Sequence, residues 1–312
     1  MAVKKQACTG AYTDLSELVS LRFKARLKLT SKRRSLSVLA GPYQASFRGR
    51  GIDFEEVRAY QPGDDVRSID WRVTARTTEA HTKLFREEKE RPVLVVVDQR
   101  AGNFFGSKSC FKSVLAAHAA GLIGWSALKN NDRVGGLVLT NTDLKEIRPK
   151  RSKSGMLQLL HEIHDANNEL KAASMGFDQS YSLNRTLQEL RRLVKPGSAI
   201  FIISDFFDFD DDSTKHCYHL ARHNEVTGLR VFDAMEKQLP PAGSYPITNG
   251  LQRGLLNSYD QKLRKHYEIL FDQQQQQLKH NLSKSGVPLI ELETGCEPVT
   301  ELMRYYASTR AR

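Results

Sequence analysis

The chain has 312 residues, is 40% hydrophobic and carries a formal net charge of +11. That is enough apolar material for one large or two modest cores, and no run of about eighteen apolar residues exists that would serve as a helical membrane span. The four cysteines (Cys8, Cys110, Cys217 and Cys296) show no CxxC or Cys-His clustering. They are therefore expected to be reduced thiols, and with no apolar signal core in residues 1–10 the expected location is the cytoplasm.

The charge is concentrated at the start of the chain. Residues 1–50 hold eleven Lys/Arg against Asp14 and Glu17, a balance of +9. A localised basic segment points to an anionic partner: nucleic acid, a membrane surface or an acidic protein face. Asp14 with Glu17 three places later predicts an N-cap and capping box opening a helix that runs to about residue 29. Within an expected N-terminal arm of residues 1–36, Arg22, Arg26, Lys32, Arg33 and Arg34 are the candidate anion-binding groups. The plainer alternative is a solvated helix kept soluble by its charges. Nearby aromatics are sparse (Phe23, Tyr43, Phe47), which disfavours stacking recognition of a single strand.

Residues 37–91 change texture to short extended pieces punctuated by Gly-Pro, Arg-Gly-Arg-Gly and Pro-Gly, the pattern of a small β-rich subdomain. Pro62 and Gly63 fit the central positions of a type II turn. Charges of alternating sign crowd residues 48–76, among them Arg58, Asp64, Asp65, Arg67, Asp70, Arg72 and Arg76, with Trp71 between them. Such a mixture is a lattice of internal ion pairs with Phe54 and Trp71 as buried anchors, or a partner-docking face; the two roles are compatible. Exposed pairs contribute only about 0–1 kcal/mol each, so a lattice this dense stabilises little unless partly buried.

From residue 92 to 312 short apolar β-branched runs alternate with helical patterns. Strands are predicted at 93–97, 133–140, 199–203, 225–232 and 287–292, and helices after Ser107 or Ser109 and at 155–164, 183–194, 213–223, 260–282 and 298–307. Residues 144–148 are expected to pair beside the second strand, and 240–256 to form an irregular or hairpin insertion. This alternation predicts a doubly wound, mostly parallel α/β sheet. In such sheets ligands bind outside the carboxyl ends of the strands, which puts Asp98 and Asp205 at the expected site. The acidic run Asp208, Asp210, Asp211 and Asp212 lacks the glycine and closing glutamate of an EF-hand and reads as a solvated helix start. His161/His164 and His216/His219 are spaced i, i+3 without a third ligand or an HExxH glutamate. There is no P-loop, no GxSxG elbow and no cysteine in a catalytic context, so neither an ATPase nor a hydrolase is indicated.

The stretch RGRGIDFEEVRAYQPGDDVRSIDWRVTAR (residues 48–76), followed by Lys83-Leu84-Phe85-Arg86-Glu87-Glu88 and a strand ending in Asp98, resembles the signature of domain-of-unknown-function family 58. That family is similar in its second part to von Willebrand factor type A domains and is associated with MoxR-type AAA+ ATPases. The resemblance implies a von Willebrand type A-like domain over 92–312. It also implies a non-enzymatic adaptor or assembly factor that works with such an ATPase on a protein client. Nucleic-acid binding or peripheral membrane contact by the basic arm is the alternative.

Von Willebrand-type domains carry a metal-dependent adhesion site whose first loop reads Asp-x-Ser-x-Ser, with a Thr and an Asp from later loops; oxygen ligands of this kind suit Mg²⁺. Here Asp98 and Asp205 match, but Arg100 and Gly102 stand in place of the two hydroxyls, and Tyr181 or Ser182 in place of the Thr. The expectation is a degenerate site without a cofactor, in which Arg100 pairs with Asp98 or Asp205. The loops bearing Asp98, Arg100, Ser182 and Asp205 would then form a recognition edge.

Overall fold

The structure is a computed structural model that describes residues 8–27, 29, 52–61, 64, 66–77, 79–87, 90–170, 181–248 and 253–308. Its contacts divide the chain into two compact units, Met1–Arg34 with Arg91–Arg312, and Ser35–Glu90.

The first helix, α1 (Leu15–Ser20), starts at Asp14, whose carboxylate accepts from the Ser16 amide at 2.6 Å. It ends well before residue 29: a 3-10 turn at Leu21–Phe23 passes into extended chain. Ala25, Leu27 and Leu29 are all buried, and their spacing of two is met by an extended segment rather than by a helix. That segment is held by the Leu27 amide donating to Ser126 Oγ at 3.2 Å and by Arg91 donating to the Leu29 carbonyl. Cys8, Leu18, Leu21, Ala25, Leu27 and Leu29 are therefore part of the core of the α/β unit.

In the smaller unit, β1 (Ile52–Ala59) is followed by a short helix, α2 (Trp71–Thr77), and by β2 (His81–Glu87). The strands pair antiparallel, Ile52 opposite Glu87 and Ala59 opposite His81, with a register shift between Phe54 and Glu56. Residues 66–77 are thus largely helical, less β-rich than their punctuation suggests. Asp70 explains the helix start, because its Oδ1 accepts from the amides of Arg72 and Val73 at 3.0 and 3.2 Å.

The larger unit runs β3 (Pro92–Asp98), α3 (Lys112–Lys129), β4 (Arg133–Leu139), β5 (Leu144–Lys150), α4 (Lys153–Glu169), α5 (Leu183–Leu193), β6 (Ala199–Ser204), α6 (Asp211–His223) and β7 (Glu225–Phe232). It continues through α7 (Ala234–Lys237), a hairpin of β8 (Ser244–Thr248) and β9 (Arg253–Asn257), α8 (Gln261–Lys284), β10 (Leu289–Glu293) and α9 (Pro298–Ser308). The six-stranded sheet has the order β10-β7-β6-β3-β4-β5, parallel throughout except for β5. Helices cover both faces, giving a mixed α/β fold with a mostly parallel central sheet.

Alternation along β3 shows how the sheet divides the core. Val93, Val95 and Val97 face α1, α3, α4 and α9, while Leu94 and Val96 face α5, α6 and α8. Burial of each such side chain contributes roughly 1.5–3 kcal/mol. Helix α3 is buried nearly all round, which Ala116, Ala117, Ala119, Ala120, Gly121 and Gly124 permit by leaving room for close neighbours. Among the described residues no helix is long and apolar enough to cross a membrane.

The cysteines depart from expectation. Cys8 and Cys110 form a disulfide, while Cys217 and Cys296 are free. The reason is tertiary: the Gly10 amide donates to Ser109 O at 2.8 Å and the Phe111 amide to Gly10 O at 3.1 Å, which lays the N-terminal segment beside the entry to α3. No spacing in the sequence reveals this, because 102 residues separate the pair.

Candidate functional site

Asp98 closes β3, Ser204 closes β6 and Asp205 follows it, so the parallel topology brings their side chains to one edge of the sheet. Arg100 packs against Asp98 at this edge. Its Nε donates to Asp98 Oδ1 at 2.9 Å and its Nη2 to Asp98 Oδ2 at 2.7 Å. The far side of the fork meets Asp208: Nη1 to Oδ2 at 2.6 Å and Nη2 to Oδ1 at 2.8 Å. Asp98 Oδ2 also accepts from Ser204 Oγ at 2.7 Å, and Asp208 Oδ2 from the Leu183 amide at the start of α5 at 2.9 Å.

Two bidentate pairs around one guanidinium are the strong form of this interaction. Burial would lower the pKa of Arg100, but its hydrogen bonds to Asp208 and Asp98 outweigh that and raise it. Burial would likewise raise that of Asp208; the hydrogen bond from Arg100 overrides it and holds the carboxyl below the usual range. The sequence foresaw an Arg100–Asp98 pair. It gave Asp205 as the other choice, and here Asp208, read as part of a solvated acidic run, is the second partner. Asp210 does act as a helix start, its side chain accepting from the Ser213 amide at 2.7 Å.

Asp205 belongs to a neighbouring cluster. Lys112 of α3, only 2% exposed, donates through Nζ to Asp205 Oδ2 at 3.1 Å and to Glu236 Oε1 at 2.5 Å. Burial opposes the charge on Lys112, and the two carboxylates more than restore it, so its pKa is raised. Sequence reasoning missed Lys112 and Glu236. A signal existed for both, since Lys112 opens an otherwise apolar helix, and Asp233-x-x-Glu236 is the capping box that the structure shows at α7.

The other positions are placed as follows. Ser182 caps α5, its Oγ accepting from the Arg185 amide at 3.2 Å, and the Tyr181 carbonyl lies 3.4 Å from Arg100 Nη1. A Cβ on Gly102 would lie 3.7 Å from Asp205 Oδ2, so a side chain there would face the cluster. His161 and His164 have ring centroids 6.3 Å apart and both lie near Asp165; His216 Nδ1 is 2.9 Å from Arg191 Nη1.

In the smaller unit Arg58 donates to Asp64 Oδ1 at 2.8 Å, and Asp64 Oδ2 accepts from the Gln61 amide at 2.9 Å. Pro62, Gly63 and Asp65 lie outside the described residues; the Asp64 amide donates to Gln61 O at 3.0 Å. Arg67, Arg72 and Arg76 are exposed. Trp71, expected as a buried anchor, is 70% exposed, with Val66 at 60%, because Trp71 is the first residue of a short helix whose partly buried side chains are Val73 and Thr74. The side chain of Phe54 lies outside the described residues. So do Lys32, Arg33 and Arg34 of the anion-binding set; Arg22 and Arg26 are exposed, and Arg22 lies 4.6 Å over the ring of Phe23.

Known proteins resemble this chain at low identity. An uncharacterized protein of Mycobacterium tuberculosis (strain H37Rv) is 28% identical over 286 residues, 91% of this chain and 88% of that one. An uncharacterized protein of Mycobacterium bovis matches to the same extent. Among solved structures, the conserved hypothetical protein BatB from Bacteroides thetaiotaomicron is 12% identical with a TM-score of 0.43, over 71% of this chain and 100% of that chain. An aerotolerance-related membrane protein from Bacteroides fragilis is 14% identical with a TM-score of 0.39, over 70% and 99%. A family model matches residues 56–277, more than half of the chain, and the protein thus belongs to the family described as protein of unknown function DUF58.

Proposed function

We propose that this chain is a non-enzymatic, cytoplasmic adaptor with a von Willebrand type A-like domain, acting with a MoxR-type AAA+ ATPase on protein clients. The observation that carries the reading is Arg100 between Asp98 and Asp208. On the von Willebrand type A-like reading, Arg100 takes the role of the adhesion-site ion, and the edge loops are tied together by the chain's own charges. Such an edge is built to hold a surface still rather than to activate a reactant, because its carboxylates are already committed to Arg100 and Lys112.

Two aromatic side chains stand exposed at this edge. Phe207, next to Asp205, is 82% exposed, and Phe105, in the loop after β3, is 42% exposed. Aromatic side chains presented on a rigid support are the groups that anchor protein interfaces. The sheet order, with β3 and β6 central and an antiparallel β5 at one edge, supports the von Willebrand type A-like assignment. The test is co-elution of the purified chain with the MoxR-type ATPase of the same organism, in ADP and in a non-hydrolysable ATP analogue. Complex formation in at least one nucleotide state, weakened by Phe207→Ser, is the expected result; no complex in any state would overturn the proposal.

A further inference from the structure

Beside the ion-pair clusters, the end of β7, the loop after β6 and helix α8 enclose a cleft of about 340 Å³. Phe209, Tyr267, Phe271, Gln274, Gln277 and the buried Arg230 line it. Arg230 is 8% exposed, and its Nε and Nη1 donate to no acceptor among the described residues. The carboxylate of Glu291 is 3.8 Å from Nη1, beyond hydrogen-bond reach, and is held by Lys279 Nζ at 3.0 Å. The cleft's own carboxylates, Asp205 and Glu236, are bound to Lys112. Native proteins seldom bury donors without partners, so each such group calls for a ligand or water that completes it. A guanidinium with free N–H groups selects a carboxylate before other acceptors.

Aromatic and polar side chains share the rest of the lining. The guanidinium carbon of Arg230 sits 5.3 Å from the ring centroid of Phe271. A cleft of this size is at the small end of ligand sites and takes one large side chain with a carboxylate beside it. Its surroundings argue for a chain rather than a small molecule. Leu263, Tyr267, Leu270, Gln274 and Gln277 recur at alternating spacings of four and three, one stripe along α8. Leu263 and Leu270, 40% and 46% exposed, carry that stripe past the cleft, where only an extended occupant would cover them. The exposed amide of Gln274 matches the donors and acceptors of a peptide backbone, while that of Gln277 donates to Asn281 Oδ1 at 3.2 Å.

We infer that this cleft docks a segment of a partner protein in which a carboxylate stands next to an aromatic or large aliphatic side chain. The carboxylate meets Arg230 and the apolar side chain lies against Tyr267 and Phe271. This rests on the adaptor reading above and names the chemistry of what the adaptor holds.

The test is fluorescence anisotropy on the full chain. The probes are short fluorescent peptides that each place one Asp or Glu beside a Phe or Leu, with Asn or Gln versions as controls and N-acetylphenylalanine as a small carboxylate competitor. The acidic peptides should bind at least about tenfold more tightly than their amides. Arg230→Gln should abolish that preference, and Phe271→Ala should weaken both series. Absence of binding, equal binding of acid and amide, or an acid preference that survives Arg230→Gln would each overturn the inference. Competition by N-acetylphenylalanine as strong as by the peptides would replace a docking site with a small-molecule site, and so overturn it too. Should Arg230→Gln not fold, the acid-to-amide ratio and the Phe271→Ala variant decide alone. Capture of the ATPase without peptide binding would overturn this cleft and leave the adaptor standing; peptide binding without ATPase capture would do the reverse.

Discussion

Arg100 chelates Asp98 from two residues away: Nε and Nη2 reach both oxygens of one carboxylate at 2.9 and 2.7 Å while the Arg100 amide donates to Oδ1 at 3.1 Å. The same guanidinium reaches across to Asp208, in the loop after β6. Two adjacent parallel strands therefore end in loops that share one cation. The Ser204 hydroxyl, donating to Asp98 at 2.7 Å, joins the same two strand ends, but Arg100 carries the charge between them, and removing that cation leaves two carboxylates, one of them 1% exposed, facing each other.

Arg100→Met should accordingly destabilise the protein by about 3–5 kcal/mol, the cost of stranding one side of a buried pair. Asp98→Asn should also cost several kcal/mol, by order of magnitude. The double variant should lose less than the sum of the two, because each single change already leaves the other partner unsatisfied. Urea unfolding of the four proteins gives the coupling directly. An additive result would mean that Arg100 and Asp98 do not act as a unit.

The same geometry bears on metal binding. With Arg100 in place, titration of the wild-type chain with Mg²⁺ or Mn²⁺ in a calorimeter should give no binding heat. Arg100→Ser with Gly102→Ser restores the two hydroxyls of the Asp-x-Ser-x-Ser pattern, and the new Cβ at 102 has ordinary clearance from Asp205 at 3.7 Å. That double variant should gain Mg²⁺ binding and Mg²⁺-dependent thermal stabilisation. Binding by the wild type that vanishes in Asp98→Ala would show instead that Arg100 yields its place to the ion.

Stability should fall in two acid windows. His118 is buried, and burial, helped by nearby Lys24, lowers its pKa from 6.5 to about 4. Folded His118 thus stays neutral where the unfolded chain takes up a proton. The stabilising difference is whole above pH 6.5, shrinks as pH falls toward 4, and amounts to roughly 3 kcal/mol across that window. His118→Gln should flatten the loss. Asp208 acts lower: its folded pKa lies below the ordinary 3.8, so its contribution is present above that value and disappears as pH falls through the folded one. Melting temperatures from pH 7 to 2 for the wild type, His118→Gln and Asp208→Asn separate the two.

Most of the larger unit was legible because its strands are fully buried apolar runs and its helices have clear periodicity and caps. Strand 225–232 was predicted to the residue, and the sheet edge followed from the parallel pattern. What escaped was decided in three dimensions. Ala25, Leu27 and Leu29 alternate like a strand but sit after a helix signal, and the helix reading absorbed them. Asp208 looked like one more acid in a run until the loop after β6 brought it against Arg100. Lys112 at the head of an apolar helix could be flagged as unusual, but only its buried position at the start of α3 gives it Asp205 and Glu236. The disulfide needed two segments 102 residues apart to meet.

Trp71 separates the two roles of the charged signature most cheaply. As a buried anchor it would contribute several kcal/mol on the scale of large aromatic truncations, about 3–5; at 70% exposure it has little packing to lose. Trp71→Ser should therefore change unfolding stability by no more than about 0.5 kcal/mol. The chain has two tryptophans, and the other, Trp125, is 7% exposed with its indole N–H donating to the Leu18 carbonyl at 3.1 Å. Acrylamide should thus quench a large part of the native emission, and Trp71→Ser should leave a blue-shifted, poorly quenched remainder from Trp125. A protected Trp71 with a large stability loss would mean that the signature is mainly structural. An accessible, dispensable Trp71 beside the exposed Arg67 and Arg72 would favour the docking role, since exposed tryptophan and arginine are enriched where protein interfaces form.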